Sequence, residues 1–204
     1  MGLREARKYI KRLHKKQENP YLWPNFLTGL PDKAAIIKKL EDIFPKLGKY
    51  AVSYVRIANI HPYLIKYGSD KHAEIIQWAA AILKTTAEKY KKSFVGTIST
   101  HGFIVICDVK NIDQLLKEAA SLFKKKTSGF YSKEDLSKKS VLSFIRDGKE
   151  VNVGLMKLIA ATADKKLDIK RSHLIQTLGR ACTRLEESGG NIVHLSKKMI
   201  SDIG

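Results

Sequence analysis

The amino-acid sequence predicts an α/β domain in which helices cover a mixed β-sheet, with a helical extension at the N-terminus. Its 204 residues suit one domain with an appendage. Hydrophobic residues make up 44% of the chain and charged residues 28%, a balance that permits a sizeable core. Segments with helical spacing of apolar residues alternate with short β-rich segments, and this alternation is typical of helices packed on a sheet.

The first half of the chain is predicted to contain three helices and three strands. Apolar residues at helical spacing predict a helix over residues 3–16, which a breaker segment over 18–24 ends. A turn of sequence LTGLPDK, over 27–33, leads into a second helix with a buried face formed by Ala35, Ile36, Leu40 and Ile43. The remaining elements are a buried strand over 50–57, an irregular segment over 58–69, a long helix over about 70–91, and two strands over 93–98 and 103–107 joined by a hairpin turn.

The second half is predicted to add a helix, a hairpin, a central strand, and a last helix and strand. Asn111 is the predicted cap of a helix that runs to about residue 125, and the polar stretch over 126–139 is left unassigned. Asp147-Gly148 is a hairpin signal between strands over 141–145 and 151–153. A central strand follows over 154–162, then a helix over 171–187 that Gly189-Gly190 ends, and a short edge strand over 192–195.

The charge balance is strongly basic, with 38 Lys and Arg against 20 Asp and Glu, a formal net charge of +18. Such a field favours anionic partners, which include nucleic acid, acidic protein surfaces and anionic lipid. The basic residues are spread along the chain and are mostly Lys, which favours a solvated lysine-rich surface over a dedicated binding site. No RGG tract, RNP-like aromatic motif or zinc-finger spacing is present. Nucleic-acid binding is therefore an alternative that the charge permits and no motif supports.

The chain has no sequence signal for a membrane, an export route or a cofactor. No run of about 18 apolar residues predicts a membrane span. The basic, amphipathic N-terminus lacks the apolar stretch of a secretory signal peptide. Cys107 and Cys182 lie in apolar segments and are predicted to be reduced core thiols without metal spacing. We expect a cytoplasmic protein with no cofactor and no metal.

Three motifs together resemble the GGDEF (diguanylate cyclase-like) domain. LTGLPDK at 27–33 is similar to the opening LTGLPNR of that family, GLMKL at 154–158 to its strand LMSLSIGVV, and ACTRLEESGGN at 181–191 to its ending ACKRAKREGGN. The resemblance covers about residues 25–195. It implies the nucleotidyl cyclase-like fold, with a central, mostly antiparallel sheet flanked by helices. We divide the chain into an N-terminal helix and linker, 1–24, and a GGDEF-like domain, 25–204.

The resemblance also implies that the catalytic residues are lost. The family makes cyclic di-GMP from two GTP molecules, and attack of a 3′-hydroxyl on an α-phosphate needs a metal held by carboxylates. By the resemblance, the two metal carboxylates become Arg56 and His101, and the GGDEF signature becomes STHGF. The guanine-reading positions become Leu64 and Ala73, and the late lysine that contacts phosphate becomes Glu186. The product-inhibition motif RxxD falls on YKKS. The degenerate positions are Arg56, Ala58, His61, Leu64, Ala73, Ser99, Thr100, His101, Gly102 and Glu186.

These losses lead us to expect no catalytic residues and no enzyme activity. The predicted function is that of a protein-interaction or scaffold module in bacterial signalling, with another signalling protein or a second copy of the chain as partner. A nucleotide or cyclic-dinucleotide receptor without turnover is the alternative. It would use an anion pocket of Arg56, Lys66 and Lys71. The candidate interaction surface comprises Arg4, Arg7, Lys8, Lys11, Arg12, Tyr21 and Trp23. His61, His72 and His101 have no metal spacing and are predicted to be isolated on the surface.

Overall fold

The computed structural model describes residues 2–16, 25–147 and 149–203, and shows helices on both faces of a five-stranded sheet. The helices are α1 (Gly2–Lys16), α2 (Lys33–Ile43), α3 (Ile60–Tyr67), α4 (His72–Ala87), α5 (Val109–Thr127), α6 (Lys133–Lys138), α7 (Arg171–Glu187) and α8 (Lys197–Ile203). The strands are β1 (Tyr50–Ala58), β2 (Phe94–Ser99), β3 (Gly102–Asp108), β4 (Ser140–Arg146), β5 (Lys149–Gly154), β6 (Lys157–Ala163) and β7 (Ile192–His194).

The sheet has the order β2-β3-β1-β6-β7, with β1 at its centre. β1 pairs antiparallel with β3 and β6, β2 pairs antiparallel with β3, and only the short edge strand β7 runs parallel to its neighbour. β4 and β5 form a separate hairpin. Every side chain of β1 except Arg56 is buried, because helices cover the sheet on both faces. The mixed, mostly antiparallel α/β fold that the sequence predicted is confirmed.

The alternation of side chains along the strands divides the core into two layers. On one face Val55, Phe103 and Leu158 pack with α1, α4 and α5. On the other face residues such as Val52 and Ile159 pack with α2 and α7. Successive residues of a strand point to opposite faces, so β1 contributes to both layers at once. This arrangement leaves the end of β1 and the tip of the β2–β3 hairpin together at one edge of the domain.

Four local predictions were wrong or incomplete. The segment over 58–69 is not irregular, because it forms α3 after Asn59 breaks the strand with a left-handed φ of 58°. The cap of α5 is Asp108, whose side chain accepts a hydrogen bond from the amide N of Lys110, so Asn111 lies inside the helix. The unassigned stretch over 126–139 contains the last two residues of α5 and all of α6, and α8 was not predicted.

The N-terminal helix packs on its own domain. Ala6 and Leu13 are buried against α4 and α5, and the Tyr9 hydroxyl donates to the carbonyl of Thr28 at 2.9 Å. This leaves only the outward face of α1 for other contacts. Tyr21 and Trp23, which the candidate interaction surface includes, lie outside the described residues. Within the described ranges, no helix is both long and apolar enough to cross a bilayer.

Both cysteines are free and buried, as predicted. Cys182, on α7, donates from Sγ to the carbonyl of Tyr54 at 3.2 Å. Burial raises the pKa of the Cys182 thiol to about 11 and also raises the pKa of Cys107. Neither thiol is therefore ionised near neutral pH, and both act as small core residues.

Candidate functional site

A pocket of about 460 Å³ lies where β1 ends and the β2–β3 hairpin turns. It contains six of the ten positions that the sequence singled out, together with three residues that it did not. The lining residues are Tyr54, Arg56, Ile57, Ile60, His61, Ser99, Thr100, His101 and Glu186. Tyr54 is a lining residue that could have been found from the sequence, because it lies two residues before Arg56 and therefore on the same face of β1. Its hydroxyl is 3.3 Å from Ser99 Oγ.

Four of the ten positions do not line the pocket. Ala58 is fully buried in the core, and Leu64 packs from α3 against the core. Ala73 is exposed on the first turn of α4. Gly102 is buried at the start of β3, where a Cβ atom would collide with the side chains of Tyr54 and Ser99. Arg56 and His101 therefore come together in the pocket, whereas Leu64 and Ala73, the two positions expected to read guanine, lie outside it.

Arg56 is fixed inside the pocket by α7. Its guanidinium donates to Thr183 Oγ1 at 2.9 Å and to the carbonyl of Gly179 at 3.2 Å. Nη1 also lies 3.7 Å from Glu186 Oε2, and the guanidinium carbon is 5.7 Å from the centre of the Tyr54 ring. About a quarter of the Arg56 side chain is exposed (25%), so the charge is held at the pocket wall and still faces solvent.

Glu186 accepts a backbone hydrogen bond in addition to its ionic contact with Arg56. Its Oε1 accepts a hydrogen bond of 2.9 Å from the amide N of Asn59, the residue with the left-handed φ between β1 and α3. The Asn59 side chain in turn donates to the carbonyl of Leu155 at 3.2 Å. Glu186 therefore stabilises the turn that ends β1, and it is the one acidic residue among the described residues that line the pocket.

The three histidines form a cluster, so the prediction that they are isolated was wrong. His101, at the hairpin tip, lies with its Nε2 2.7 Å from His72 Nε2 at the start of α4, and the His61 ring meets it edge-on at 5.3 Å between centroids. A hydrogen bond between two ring nitrogens requires one of them to be unprotonated. Burial lowers the pKa of His101, and His72, His61 and Arg56 lower it further. The lowered pKa favours the neutral form of His101 at pH 7. The described residues hold no group of three His, Cys, Asp or Glu that could bind a metal.

The anion pocket expected from Arg56, Lys66 and Lys71 does not form. Lys66 donates to Asp135 Oδ1 at 2.6 Å, and Lys71 donates to Glu74 Oε2 at 3.0 Å. Each lysine is thus paired with a carboxylate away from the pocket. Asp135, which the sequence did not single out, also accepts from the Tyr67 hydroxyl at 2.5 Å, and these two hydrogen bonds hold its pKa below the usual value. This cluster ties α6 to α3.

The outward face of α1 carries the basic part of the candidate interaction surface. The five side chains are exposed and lie on the side of the helix opposite Ala6 and Leu13. They are Arg4, Arg7, Lys8, Lys11 and Arg12. Because the domain covers the apolar stripe of α1, the exposed face carries these basic side chains, together with Glu5, and leaves no apolar stripe uncovered.

Comparison with known proteins finds a similarity in fold. No family model matches the sequence, and no curated protein matches it either. Among solved structures, the chain is similar to the GGDEF domain of FimX from Pseudomonas aeruginosa (9% identity, TM-score 0.55), covering 84% of this chain and 98% of that one. It is similar to the GGDEF domain of DgcB from Caulobacter crescentus in complex with c-di-GMP (12% identity, TM-score 0.56), covering 83% and 94%.

A third similar structure contains a protein partner. It is the diguanylate cyclase SiaD from Pseudomonas aeruginosa in complex with its activator SiaC (11% identity, TM-score 0.60), covering 93% of this chain and 67% of that one. At identities this low the likeness concerns the fold. The chain has the fold of GGDEF domains, and the fold that the sequence motifs implied is confirmed.

Proposed function

We propose that this chain is a catalytically inactive GGDEF-like domain that acts in the bacterial cytoplasm as a protein-interaction or scaffold module in signalling. The observation that carries the proposal is the Arg56 guanidinium. It is held in the pocket by Thr183 and Gly179, at the position where the resemblance expects a metal-binding carboxylate. A fixed cation at this point opposes the binding of a divalent metal instead of merely failing to assist it.

The rest of the pocket supports the same conclusion. Joining two GTP molecules requires a metal that neutralises the triphosphate and activates the attacking hydroxyl. The described residues that line the pocket include one carboxylate, Glu186, which already accepts from the amide of Asn59 and lies beside Arg56. Its negative charge would repel a triphosphate where the resemblance expects a lysine. His101, at the other expected carboxylate position, brings no negative charge, and its Nε2 lies 2.7 Å from His72 Nε2.

The first prediction is that the protein produces no cyclic di-GMP. Purified protein incubated with GTP and either Mg²⁺ or Mn²⁺ should yield no product above the enzyme-free background, as measured by liquid chromatography with mass spectrometry. The cyclase SiaD with its activator SiaC serves as the positive control under the same conditions. Metal-dependent product formation would overturn the proposal, and its loss in Arg56→Ala would further make Arg56 part of an active site.

The interaction half of the proposal rests on the outward face of α1. Its five basic side chains are exposed, while the apolar stripe of the same helix packs on α4 and α5. A basic face of this kind fits a protein partner with an acidic surface, because complementary charge speeds association and selects partners. The complex of SiaD with SiaC supports the idea that a protein containing this fold can bind a protein partner.

The second prediction concerns this face. We expect a variant with Arg4, Arg7, Lys8, Lys11 and Arg12 all changed to Gln to lose its partner, with cross-linked recovery falling about tenfold, because charge complementarity is removed. The measurement is cross-linking and mass spectrometry in a lysate of the source cells.

The matched control for this variant changes five exposed lysines elsewhere to Gln. They are Lys38, Lys91, Lys92, Lys165 and Lys166. The control should retain the partner, which should be cross-linked through α1. Equal loss in both variants would show that bulk charge alone is responsible. Recovery that disappears on nuclease treatment would favour the nucleic-acid alternative instead.

A nucleotide receptor without turnover is the second candidate, and the open pocket favours it. A space of about 460 Å³ lies within the usual range for small-molecule sites, and Ser99 and Thr100 line it together with Arg56. Calorimetric titration with GTP and with cyclic di-GMP tests this candidate. Saturable binding heat that is lost in Arg56→Ala would support a receptor. Absence of binding heat with both ligands would exclude the receptor and leave the protein-interaction role as the remaining proposal.

A further inference from the structure

A second, larger cavity lies on the opposite side of the sheet from α7. It has a volume of about 610 Å³ and is enclosed by α5, by β6 and β7, and by the α6 segment with the strand ends that flank it. It shares no lining residue with the pocket at the end of β1. Its volume is in the range of small-molecule sites. Nothing in the proposed function uses it.

The interior of this cavity is apolar. Its deep wall is formed by buried side chains of the core, which include Val55, Leu83, Leu116, Leu158 and Ala160. A polar ligand placed against these groups would lose its hydrogen bonds to water and find none in return. An alkyl chain would instead remove its own surface and that of the wall from water. The interior of the cavity therefore favours the hydrocarbon part of a ligand.

The mouth of the cavity is cationic. Lys117 and Lys124 on α5, and Lys139 after α6, are exposed at the cavity and form no salt bridge with any described acidic residue. Among the described lining residues there is no aspartate or glutamate to neutralise them. Lys157 differs, because its Nζ donates to the carbonyls of Gly189 and Gly190 at 2.7 and 2.8 Å. The three free lysines give the mouth a positive field that favours an anionic head group.

One partly buried hydroxyl among the lining residues is available to such a head group. Tyr131 Oη accepts a hydrogen bond of 2.7 Å from the amide N of Met156, and no described residue accepts the proton of that hydroxyl. Burial raises the pKa of Tyr131, so the phenol keeps its proton at neutral pH and remains a donor. A carboxylate accepts such a donor well.

From these features we infer that the cavity between α5 and β6 binds a long-chain fatty carboxylate. Its alkyl chain lies against Leu83, Leu116 and Leu158, and its carboxylate lies at Lys117, Lys124 and Lys139. A nucleotide does not fit the apolar wall, and a neutral lipid does not use the lysines. The inference is independent of the proposed function, because it concerns a different cavity and survives whether or not the chain turns over GTP.

The test is a fluorescence titration of the full chain with a dansylated undecanoic acid, followed by displacement with palmitate or hexadecanol. We expect saturable binding of one probe per chain, and displacement by hexadecanol about tenfold weaker than by palmitate, because the alcohol lacks the charge. Absence of saturable binding, or equal displacement by the two competitors, would overturn the inference.

Two variants make the test specific to the cavity. Changing Lys117, Lys124 and Lys139 to Gln should weaken probe binding about tenfold. The charge-matched control changes the exposed residues Lys110, Lys125 and Lys133, which do not line the cavity, and should stay within about twofold of the wild type.

Equal weakening in the two triple variants would also overturn the inference, because it would assign the binding to net charge. Ala120→Trp, which fills the cavity from α5, should abolish binding with an unchanged circular dichroism spectrum. The lysine variants keep the test decisive if this larger substitution disturbs folding, since they lie on the surface.

Discussion

Replacement of Phe103 by alanine should lower the free energy of unfolding by about 3–5 kcal/mol, the usual cost of removing a fully buried aromatic ring. Phe103 lies in β3 with none of its surface exposed, in the core layer that α4 and α5 cover. Its removal leaves a cavity that a sheet covered on both faces cannot easily collapse. Equilibrium denaturation in urea, followed by circular dichroism, measures the loss.

Phe144→Ala is the matched control for this prediction. Phe144 lies on the β4–β5 hairpin with 47% of its surface exposed, so its truncation should change the free energy of unfolding by less than about 0.5 kcal/mol. A similar effect for both variants would show that Phe103 is not a core residue. Phe103 is also the one residue of the GGDEF signature that the resemblance retains, and its burial gives a packing reason for that retention that requires no catalysis.

Replacement of Gly96 by alanine should cost about 1–3 kcal/mol, because it overpacks the contact between β2 and α2. An added Cβ would lie 2.6 Å from Ile36 Cγ1 and 3.0 Å from the carbonyl O of Pro31. Ile36 is fully buried, and the Pro31 carbonyl already accepts from the amide N of Thr97 at 2.8 Å, so neither can easily move away. Thermal unfolding should show a correspondingly lower Tm.

Gly129→Ala is the control for the same chemical change in open space. No atom lies within 4 Å of a Cβ built at Gly129, in the turn after α5. Its substitution should be neutral or stabilise by about 0.4–1 kcal/mol, because alanine restricts the unfolded chain. Equal destabilisation by both variants would contradict the steric explanation for Gly96.

Long periodic elements could be predicted from the sequence because their pattern is local. The helix over 171–187 was predicted with the bounds that α7 has. The helix α3 was missed because its start depends on distant contacts. Asn59 holds its left-handed conformation with hydrogen bonds to Glu186 and Leu155, which lie about a hundred residues further along the chain. No window of sequence around residue 59 contains that information.

The same difference between local sequence patterns and distant contacts applies to the candidate site. Arg56 and His101 could be placed together because the end of β1 pairs with the start of β3, at the hairpin turn. Leu64 and Ala73 could not be placed correctly, since a short helix and a loop intervene and small register differences there rotate a side chain away. The histidine cluster joins residues 61, 72 and 101 from three separate elements. Only the tertiary packing of the hairpin tip on α4 brings them together.

The pair formed by Arg56 and Glu186 bears on whether the loss of activity that we propose could be reversed by single substitutions. By the resemblance, the two positions have exchanged the signs of their charges, and the exchanged charges now lie 3.7 Å apart. Reverting Arg56 alone to an acid would place two carboxylates side by side, and reverting Glu186 alone to lysine would place two cations together. Each single change is opposed by repulsion, so the charges that the resemblance expects could be restored only by changing both residues together.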